Sequence, residues 1–408
     1  MSLSRSIARA VRDAPVFEAA ALAKAKLALF DYISCVFESL TLPQSIQAMR
    51  VASSGSNSDA AFVNAVLGHG LVREDMHTGS VSHLGVVVFP TLLALARSRG
   101  VRGSEFLAST ICGYEVGAAI GRMLMDAETV RLFRPTGITG TLGAAAAGAR
   151  MIGLDEDACV SAIGLAANTT VGLNEWGQTG ADDMYFHVGY AARNAVTAVE
   201  LAEAGAKASE GALDGQAGLF AALRRLERAG DVRLFARERL EILEVFHKPA
   251  GACNYAQTAI QAAGQLGVSG EAVGSVRVRC TAAALNYPGC NSTGPFGSIL
   301  QAKMSIQHGV AKALGISPEQ VSLEGDAELT AAYPAKQGSE VIATLRDGRE
   351  VRRRLDDLTP ASESDVRARY ERAASAYLGP ERTDRVTAMI ESMETQKDLG
   401  KLGELLGR

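Results

Sequence analysis

The stretch from Phe17 to Leu40 reads FEAAALAKAKLALFDYISCVFESL and predicts a long helix. Its apolar residues recur at the spacing of one helix face. The pattern stops at Thr41-Leu42-Pro43, where the proline disfavours a continuing helix. A helix with so many apolar residues must pack against other helices, so this stretch favours a mainly α-helical fold.

The same spacing recurs along the first half of the chain, where strand patterns are scarce. The sequence is 47% hydrophobic but only 5% aromatic, which indicates a core of small aliphatic side chains suited to close helix packing. Further helices are predicted at 60–70, 86–98, 107–125, 140–152, 158–173 and 190–204.

The pattern changes after about residue 267, where residues 275–281 alternate between apolar and polar side chains as a half-exposed strand does. A helix is predicted at 305–314. A hairpin is predicted from 340 to 352, with Asp347-Gly348 at its turn. Helical patterns return at 363–377 and 383–405.

These patterns predict two domains. The first is a large all-helical domain over residues 1–266, with C-terminal helices at about 376–408 packing back on it. The second is a smaller α+β lid domain over residues 267–375. A chain of 408 residues is long enough for two hydrophobic cores.

Charge and cysteine content indicate which binding partners and which compartment to expect. The formal net charge of -4 offers no basic surface for nucleic acid, and no apolar run is long enough to span a membrane. The six cysteines are scattered without metal-site spacing, which favours reduced thiols. The N-terminus is too charged for a signal peptide, so we expect a cytoplasmic protein with a small-molecule partner.

The first candidate cluster is NAVLGHGLVREDMH at 64–77, followed by SHLG at 82–85. His83 or Asp75 could act as a base on a substrate proton. Glu74, Asp75, His77 and His83 could instead bind a metal, but their spacing matches no standard ligand motif, and we predict none. Solvated loop charges are the third interpretation.

A second cluster, FRPTGITGTLG at 133–143, leads into an Ala-rich helix. Free backbone N–H groups at the helix start, with Arg134 and Thr136 beside them, would suit a carboxylate. The glycines do not match a dinucleotide-binding fingerprint. They could also serve only to permit close helix packing.

Two further clusters lie in predicted loops. NEWGQTGADDMYFHVG at 174–189 contains the only Trp of the chain, together with Asn174 and Tyr185, and such loops often line pockets. HKPAGACNY at 247–255 places Lys248 at a probable helix start, where it could bind a carboxylate or form an ion pair. Cys253 is more typical of a buried small side chain than of a nucleophile.

Taken together and in this order, these segments resemble the MmgE/PrpD family, which includes 2-methylcitrate dehydratase, cis-aconitate decarboxylase and iminodisuccinate epimerase. The resemblance implies a helical domain, a lid domain, a site in the cleft between them, no cofactor, and a homodimer. Asp75, His83 and Lys248 fall on functional positions of the family. The matching segments include Leu29-Phe30-Asp31-Tyr32, Glu74-Asp75, Gly113-Tyr114-Glu115, Pro135-Thr136, Arg193-Asn194, Lys248-Pro249 and Ser305-Ile306.

The chain departs from the dehydratase and decarboxylase pattern at five positions of the implied site. An Asp, a His, a Lys, a second His and a Tyr are replaced, in that order, by Val72, Arg134, Met184, Gln257 and His308. Arginine binds carboxylates well but cannot transfer protons near neutral pH, so the resemblance implies a different substrate or reaction.

The resulting expectation is a lyase acting by proton abstraction beside a carboxylate of a small polycarboxylic acid. His83, helped by Asp75, is the predicted proton-transfer group, and His308 the opposing acid or base. An isomerase or epimerase, or a non-catalytic homologue, is the alternative. The predicted substrate-binding residues are Arg134, Lys248, Thr136, Tyr185, Asn174 and Gln257.

Overall fold

Most of the chain is α-helical in a computed structural model that describes residues 1–52, 54–97, 99–170, 172–236 and 238–406. The helices before the sheet are α1 (Leu3–Arg12), α2 (Ala19–Glu38), α3 (Pro43–Val51), α4 (Asn57–His69), α5 (Gly85–Ala96), α6 (Gly103–Leu124), α7 (Ala127–Leu132), α8 (Pro135–Met151), α9 (Glu156–Ala167), α10 (Trp176–Thr179), α11 (Asp183–Glu203), α12 (Leu219–Ala222) and α13 (Gln257–Gly264). The later elements are β1 (Val273–Cys280), α14 (Ala282–Asn286), α15 (Ile299–Met304), α16 (Ile306–Leu314), β2 (Val321–Gly325), α17 (Ala327–Ala332), β3 (Ser339–Leu345), β4 (Glu350–Leu355), α18 (Glu363–Leu378), α19 (Pro380–Glu391) and α20 (Gly400–Leu406). The expected fold class, mainly α with a smaller α+β part, is confirmed.

The helices predicted in the first half of the chain all have counterparts in the structure. The opening stretch forms α2, and Pro43 begins α3 directly after the predicted stop. The helix predicted from residue 190 begins earlier, at Asp183, because Gly189 interrupts the apolar spacing without ending the helix. Ser98 and Val171, which belong to two other predicted helices, lie outside the described residues.

The four strands form one sheet in the order β2-β1-β3-β4. β1 runs parallel to β2 and antiparallel to β3. β3 and β4 form the predicted hairpin, and Gly348 in its turn has a positive φ of 87°. Both strand predictions are therefore confirmed, and α13 and α16 pack together beside the sheet.

The C-terminal helices return to the helical part of the molecule. α18 packs on α2, where the Phe30 and Tyr370 ring centroids are 4.6 Å apart and the Phe37 and Tyr377 centroids 4.8 Å apart. The predicted division into domains at residues 266 and 375 stays a prediction.

The single helix predicted over 383–405 is wrong, because α19 ends at Glu391 and α20 begins only at Gly400. Between them the backbone pairs with the start of α6 instead of continuing as a helix. Gly103 donates its N–H to the Gln396 carbonyl, and Leu399 donates to the Val101 carbonyl.

α6 and α8 cross with their backbones in contact. A methyl group added to Gly143 would overlap the Gly113 carbonyl oxygen and lie 3.1 Å from the Gly117 nitrogen. One added to Gly117 would lie 3.0 Å from the Thr139 carbonyl oxygen. Glycine is required here because any side chain would push the two helices apart.

We expect Gly143→Ala to lower the free energy of unfolding by about 1–3 kcal/mol, since the added methyl group must displace backbone atoms. Urea denaturation with circular dichroism measures this change. Gly264→Ala is the matched control, because this helical glycine has no neighbouring atom within 4 Å of the added position. A Gly143→Ala protein as stable as the wild type would contradict the described crossing.

Candidate active site

A small cavity lies where the helical part meets the segments around the sheet. One side is formed by residues 72–83, Arg134 and Met184, and the other by residues 253–255, Tyr287 and Met304. The lining residues are Val72, Met76, Val81, His83, Arg134, Met184, Cys253, Asn254, Tyr255, Tyr287 and Met304. His83 and Arg134, which the sequence predicted, therefore meet in one cavity.

His83 lies just before α5 with its ring held in one orientation. Its Nδ1 donates to the Asp75 carbonyl oxygen at 2.8 Å, and its backbone N–H donates to Thr136 Oγ1 at 3.1 Å. Nε2 is then the ring nitrogen left to accept a proton. Burial, followed by the nearby Lys248 ammonium, holds the pKa of His83 well below its usual value, so the ring is neutral at pH 7.

Behind His83, Glu74 is a fully buried carboxylate. Its Oε1 accepts a hydrogen bond from His69 Nδ1 and lies 3.2 Å from His83 Nδ1. Burial by itself would raise the pKa of Glu74, but the hydrogen bond from His69 and the charge of Lys248 oppose burial, and that pKa lies below its usual value. Glu74 is therefore ionised and would stabilise a proton received by His83.

His69 connects this carboxylate to Arg134. Arg134 Nη2 donates to His69 Nε2 at 3.1 Å, so the ring proton of His69 is on Nδ1, which faces Glu74. Burial lowers the pKa of His69 despite the Glu74 charge, and Arg134 lowers it further. His69 is therefore a neutral bridge between Glu74 and Arg134.

Arg134 is only 5% exposed, and none of the described carboxylates lies within 4.0 Å of it. Nη1 donates to the Tyr287 hydroxyl at 3.4 Å, and the guanidinium lies 5.8 Å from the Trp176 ring centroid. Its Nε, also buried, has no hydrogen-bond partner among the described residues. A guanidinium held in this way can bind a carboxylate through Nε and one Nη.

Three predicted substrate-binding residues bind other protein groups beside the cavity and do not line it. Thr136 accepts from the His83 backbone. Asn174 Nδ2 donates to the Val130 and Phe133 carbonyl oxygens, and its Oδ1 accepts from Trp176 Nε1 at 3.0 Å. Gln257 Nε2 donates to carbonyl oxygens of the loop at 250–253. These contacts give both amides a positioning role in the structure.

Tyr185 and Lys248 are buried near the cavity but are not among its lining residues. The Tyr185 ring meets His69 edge-on, with centroids 6.4 Å apart. Lys248 Nζ donates to the Ala252 carbonyl oxygen at 3.3 Å, and burial lowers the pKa of this ammonium although Glu74 opposes that shift. Lys248 therefore acts on the site through its charge beside Glu74.

Asp75 supports His83 through its backbone carbonyl. The Asp75 carboxylate packs against Gly85. There it accepts a hydrogen bond from the Tyr114 hydroxyl. Burial raises the pKa of the Asp75 carboxyl to about 6.

The two remaining histidines of the sequence predictions lie elsewhere. His308 lines none of the cavity, and its ring packs edge-on against Phe296 with centroids 5.3 Å apart. His77 binds Ser80 through Nδ1 and Glu241 through Nε2, both within 2.9 Å. Of the four residues considered as metal ligands, Glu74 and His83 lie beside each other, whereas the Asp75 carboxylate binds Tyr114 and His77 binds Ser80 and Glu241.

Sequence reasoning missed several parts of this site. His69 and Glu74 stand in the first quoted cluster, but only Glu74 was considered, as a metal ligand. Cys253 lines the cavity with its sulfur 3.4 Å from that of Cys290, which no local pattern indicates. Tyr287 reaches Arg134 from 153 residues away along the chain. All six cysteines are buried.

Comparison with known sequences agrees with this picture of the fold. Residues 5–229 match the sequence model of the MmgE/PrpD N-terminal domain. The chain belongs to the MmgE/PrpD family. The matched range contains Glu74, His83 and Arg134, whereas the cavity wall from Cys253 onward lies beyond it.

Similar proteins include a cis-aconitate decarboxylase-like protein, oryM, from Aspergillus oryzae, which is 28% identical over 207 residues, or 45% of this chain and 43% of the relative. Human cis-aconitate decarboxylase is 30% identical over 167 residues, or 40% of this chain and 34% of the relative. Cis-aconitate decarboxylase from Aspergillus terreus is 25% identical over 220 residues, or 49% of this chain and 45% of the relative. The alignments thus span less than half of these relatives.

No helix among the described residues has the length and apolar character needed to cross a membrane.

Asp75 predicts a specific pH dependence of stability. Because its pKa in the folded protein, about 6, lies above the ordinary 3.8, its contribution is complete below pH 3.8 and is lost as the pH rises through about 6. Asp75→Asn, which can still accept from Tyr114, should reduce the loss of thermal stability between pH 5 and pH 8.

Differential scanning fluorimetry at the two pH values measures this effect. Asp384→Asn is the control, because Asp384 is exposed on α19. Equal pH dependence in the wild type and in Asp75→Asn would show that Asp75 does not titrate as described.

Proposed function

We propose that this chain is a cofactor-independent lyase that removes a proton beside a carboxylate of a small carboxylic acid. The observation that carries the proposal is the pairing, in one cavity, of a neutral His83 with a buried Arg134 that has no carboxylate partner among the described residues. Membership of the MmgE/PrpD family, and similarity to proteins named cis-aconitate decarboxylase, support lyase chemistry.

His83 supplies the base in this mechanism. Its Nδ1 is committed to the Asp75 carbonyl, so Nε2 takes the proton from the carbon next to the substrate carboxylate. The imidazolium that forms is stabilised by Glu74, 3.2 Å from Nδ1. The low pKa of free His83 keeps the base form available, and Glu74 makes the transfer more favourable.

Arg134 supplies the electrostatic stabilisation. When the proton leaves, negative charge spreads onto the substrate carboxylate, and the guanidinium is oriented to receive it before the reaction starts. The contacts from His69 and Tyr287 fix that orientation. The electron pair left on carbon then forms a C=C bond as the C–O bond on the neighbouring carbon breaks. The His83 imidazolium returns its proton to the departing hydroxide, which leaves as water.

Two alternative functions, an isomerase or epimerase and a non-catalytic homologue, would require different features of the site. An isomerase or epimerase needs a second proton-transfer group, and the sequence-based candidate His308 packs against Phe296 outside the cavity. A non-catalytic homologue would not need titratable side chains converging on one cavity. The His83, Glu74 and His69 arrangement therefore favours an enzyme over a binding protein.

Deuterium incorporation from D₂O, followed by NMR, tests the proposal on a panel of citrate-, aconitate- and aspartate-like acids. We expect His83→Asn to lower turnover of the accepted acid by about 10²- to 10⁴-fold, because a positioned base is lost. His308→Asn should retain activity near that of the wild type. Exchange without net product would indicate an isomerase, and full activity in His83→Asn would refute the assigned base.

The pH profile gives a second test. Because burial lowers the pKa of His83, kcat/KM should fall on the acid side with an apparent pKa below 6.5. Glu74 opposes that lowering, so Glu74→Gln should move the acid limb to still lower pH. An acid limb above pH 7, or one unmoved in Glu74→Gln, would contradict the proposed pair.

A further inference from the structure

The cavity wall carries very little charge. Among its described lining residues, Arg134 is the only one with a permanent charge, and the other titratable groups on the wall include the neutral His83 and the buried tyrosines Tyr255 and Tyr287. Burial raises the pKa values of both tyrosines, so they also remain uncharged. A ligand in this cavity therefore meets a single cation.

The other nearby cations are turned away from the cavity. Lys248 is 0% exposed, and its ammonium group is directed at the Ala252 carbonyl in the field of Glu74. Lys303 donates to the Gly70 and Leu71 carbonyl oxygens at 3.4 and 3.2 Å. Neither lysine is among the lining residues.

Much of the remaining wall is apolar, and its polar side chains offer no further cation. Asn254 Oδ1, which has no partner among the described residues, is an acceptor and would repel a carboxylate. The apolar residues are Val72, Met76, Val81, Met184 and Met304. Asn254 Nδ2 donates to Gln337 Oε1 at 2.8 Å, and the Tyr255 hydroxyl is 3.2 Å from that of Tyr333. A second carboxylate placed against this wall would lose its hydration without gaining a cation, which weakens binding.

We propose that this site selects acids with a single carboxylate, held by Arg134, whose remaining carbon atoms lie against the apolar wall. The inference deepens the proposed function and rests on it, and it narrows the substrate from the polycarboxylic acid expected from sequence to a monocarboxylic acid. The unpartnered Nε of Arg134, together with one Nη, forms the fork that receives the carboxylate.

The test uses inert saturated acids, so that binding is measured without turnover. Butyrate, glutarate and tricarballylate carry one, two and three carboxylates on short chains. Isothermal titration calorimetry on the wild-type protein should give the lowest Kd for butyrate and a Kd at least tenfold higher for tricarballylate. Tricarballylate or glutarate binding as tightly as butyrate would overturn the proposal.

Variants assign the binding to Arg134. Arg134→Gln should raise the Kd for butyrate at least tenfold, and Arg134→Lys should give a smaller increase because the charge is kept while the fork is lost. Arg131→Gln is the matched control, since Arg131 is an exposed arginine three residues earlier in the chain. Unchanged butyrate affinity in a folded Arg134→Gln protein would also overturn the proposal.

Failure of this inference can be distinguished from failure of the proposed function. Arg134-dependent butyrate binding, with no deuterium incorporated into the acids of the panel or into monocarboxylic hydroxy acids such as 3-hydroxybutyrate, would preserve the specificity and refute the lyase. Turnover of a tricarboxylic acid that depends on His83 would preserve the lyase and refute the specificity.

Discussion

The buried carboxylate of Glu74 sets the arrangement of the whole site. An ionised group with almost no exposure must be compensated by neighbouring donors and cations, or it destabilises the fold. Here the compensation comes from the Nδ1 atoms of His69 and His83 and from the charge of Lys248. Meeting that requirement fixes both imidazole rings, and the fixed rings in turn define which nitrogen faces a ligand and how the guanidinium of Arg134 is held.

The helical framework supplies the precision for this arrangement. His69 ends α4, His83 precedes α5, and Arg134 precedes Pro135, the first residue of α8. Each side chain therefore lies at a helix end, where its position is determined by how the helices pack. The backbone contact between α6 and α8 leaves little freedom in that packing, so the distances within the site follow from the core rather than from a mobile loop.

Sequence reasoning reached most of the fold and part of the site. Apolar periodicity identified α2 and its successors because burial requires a continuous face, and the Asp-Gly turn identified the β3–β4 hairpin. It missed the break before α20, where long-range backbone pairing with residues 101–103 outweighs the local pattern. Tertiary contacts of this kind leave no local signature.

Predicting the site residues from sequence has the same limits as predicting the fold. His83 was found because it stands in a dense cluster of titratable residues, and Arg134 because it stands at a predicted helix start. An amide such as Asn174 or Gln257 looks the same in sequence whether it faces a ligand or a backbone carbonyl, and in the structure both bind carbonyl groups. The bridge from Glu74 through His69 to Arg134 depends on the loop that carries Glu74 and on the ends of α4 and α8, and Tyr287 joins it from a distant part of the chain.

The glycine crossing of α6 and α8 also bears on how such a site can diversify. Where backbone touches backbone, no larger residue can be accommodated, so substitutions there are closed to selection unless the helices move. Val72, Met184 and Met304, in contrast, line the cavity. New substrate preferences can therefore arise by single replacements on the wall, while the base and its buried carboxylate stay where the helices hold them.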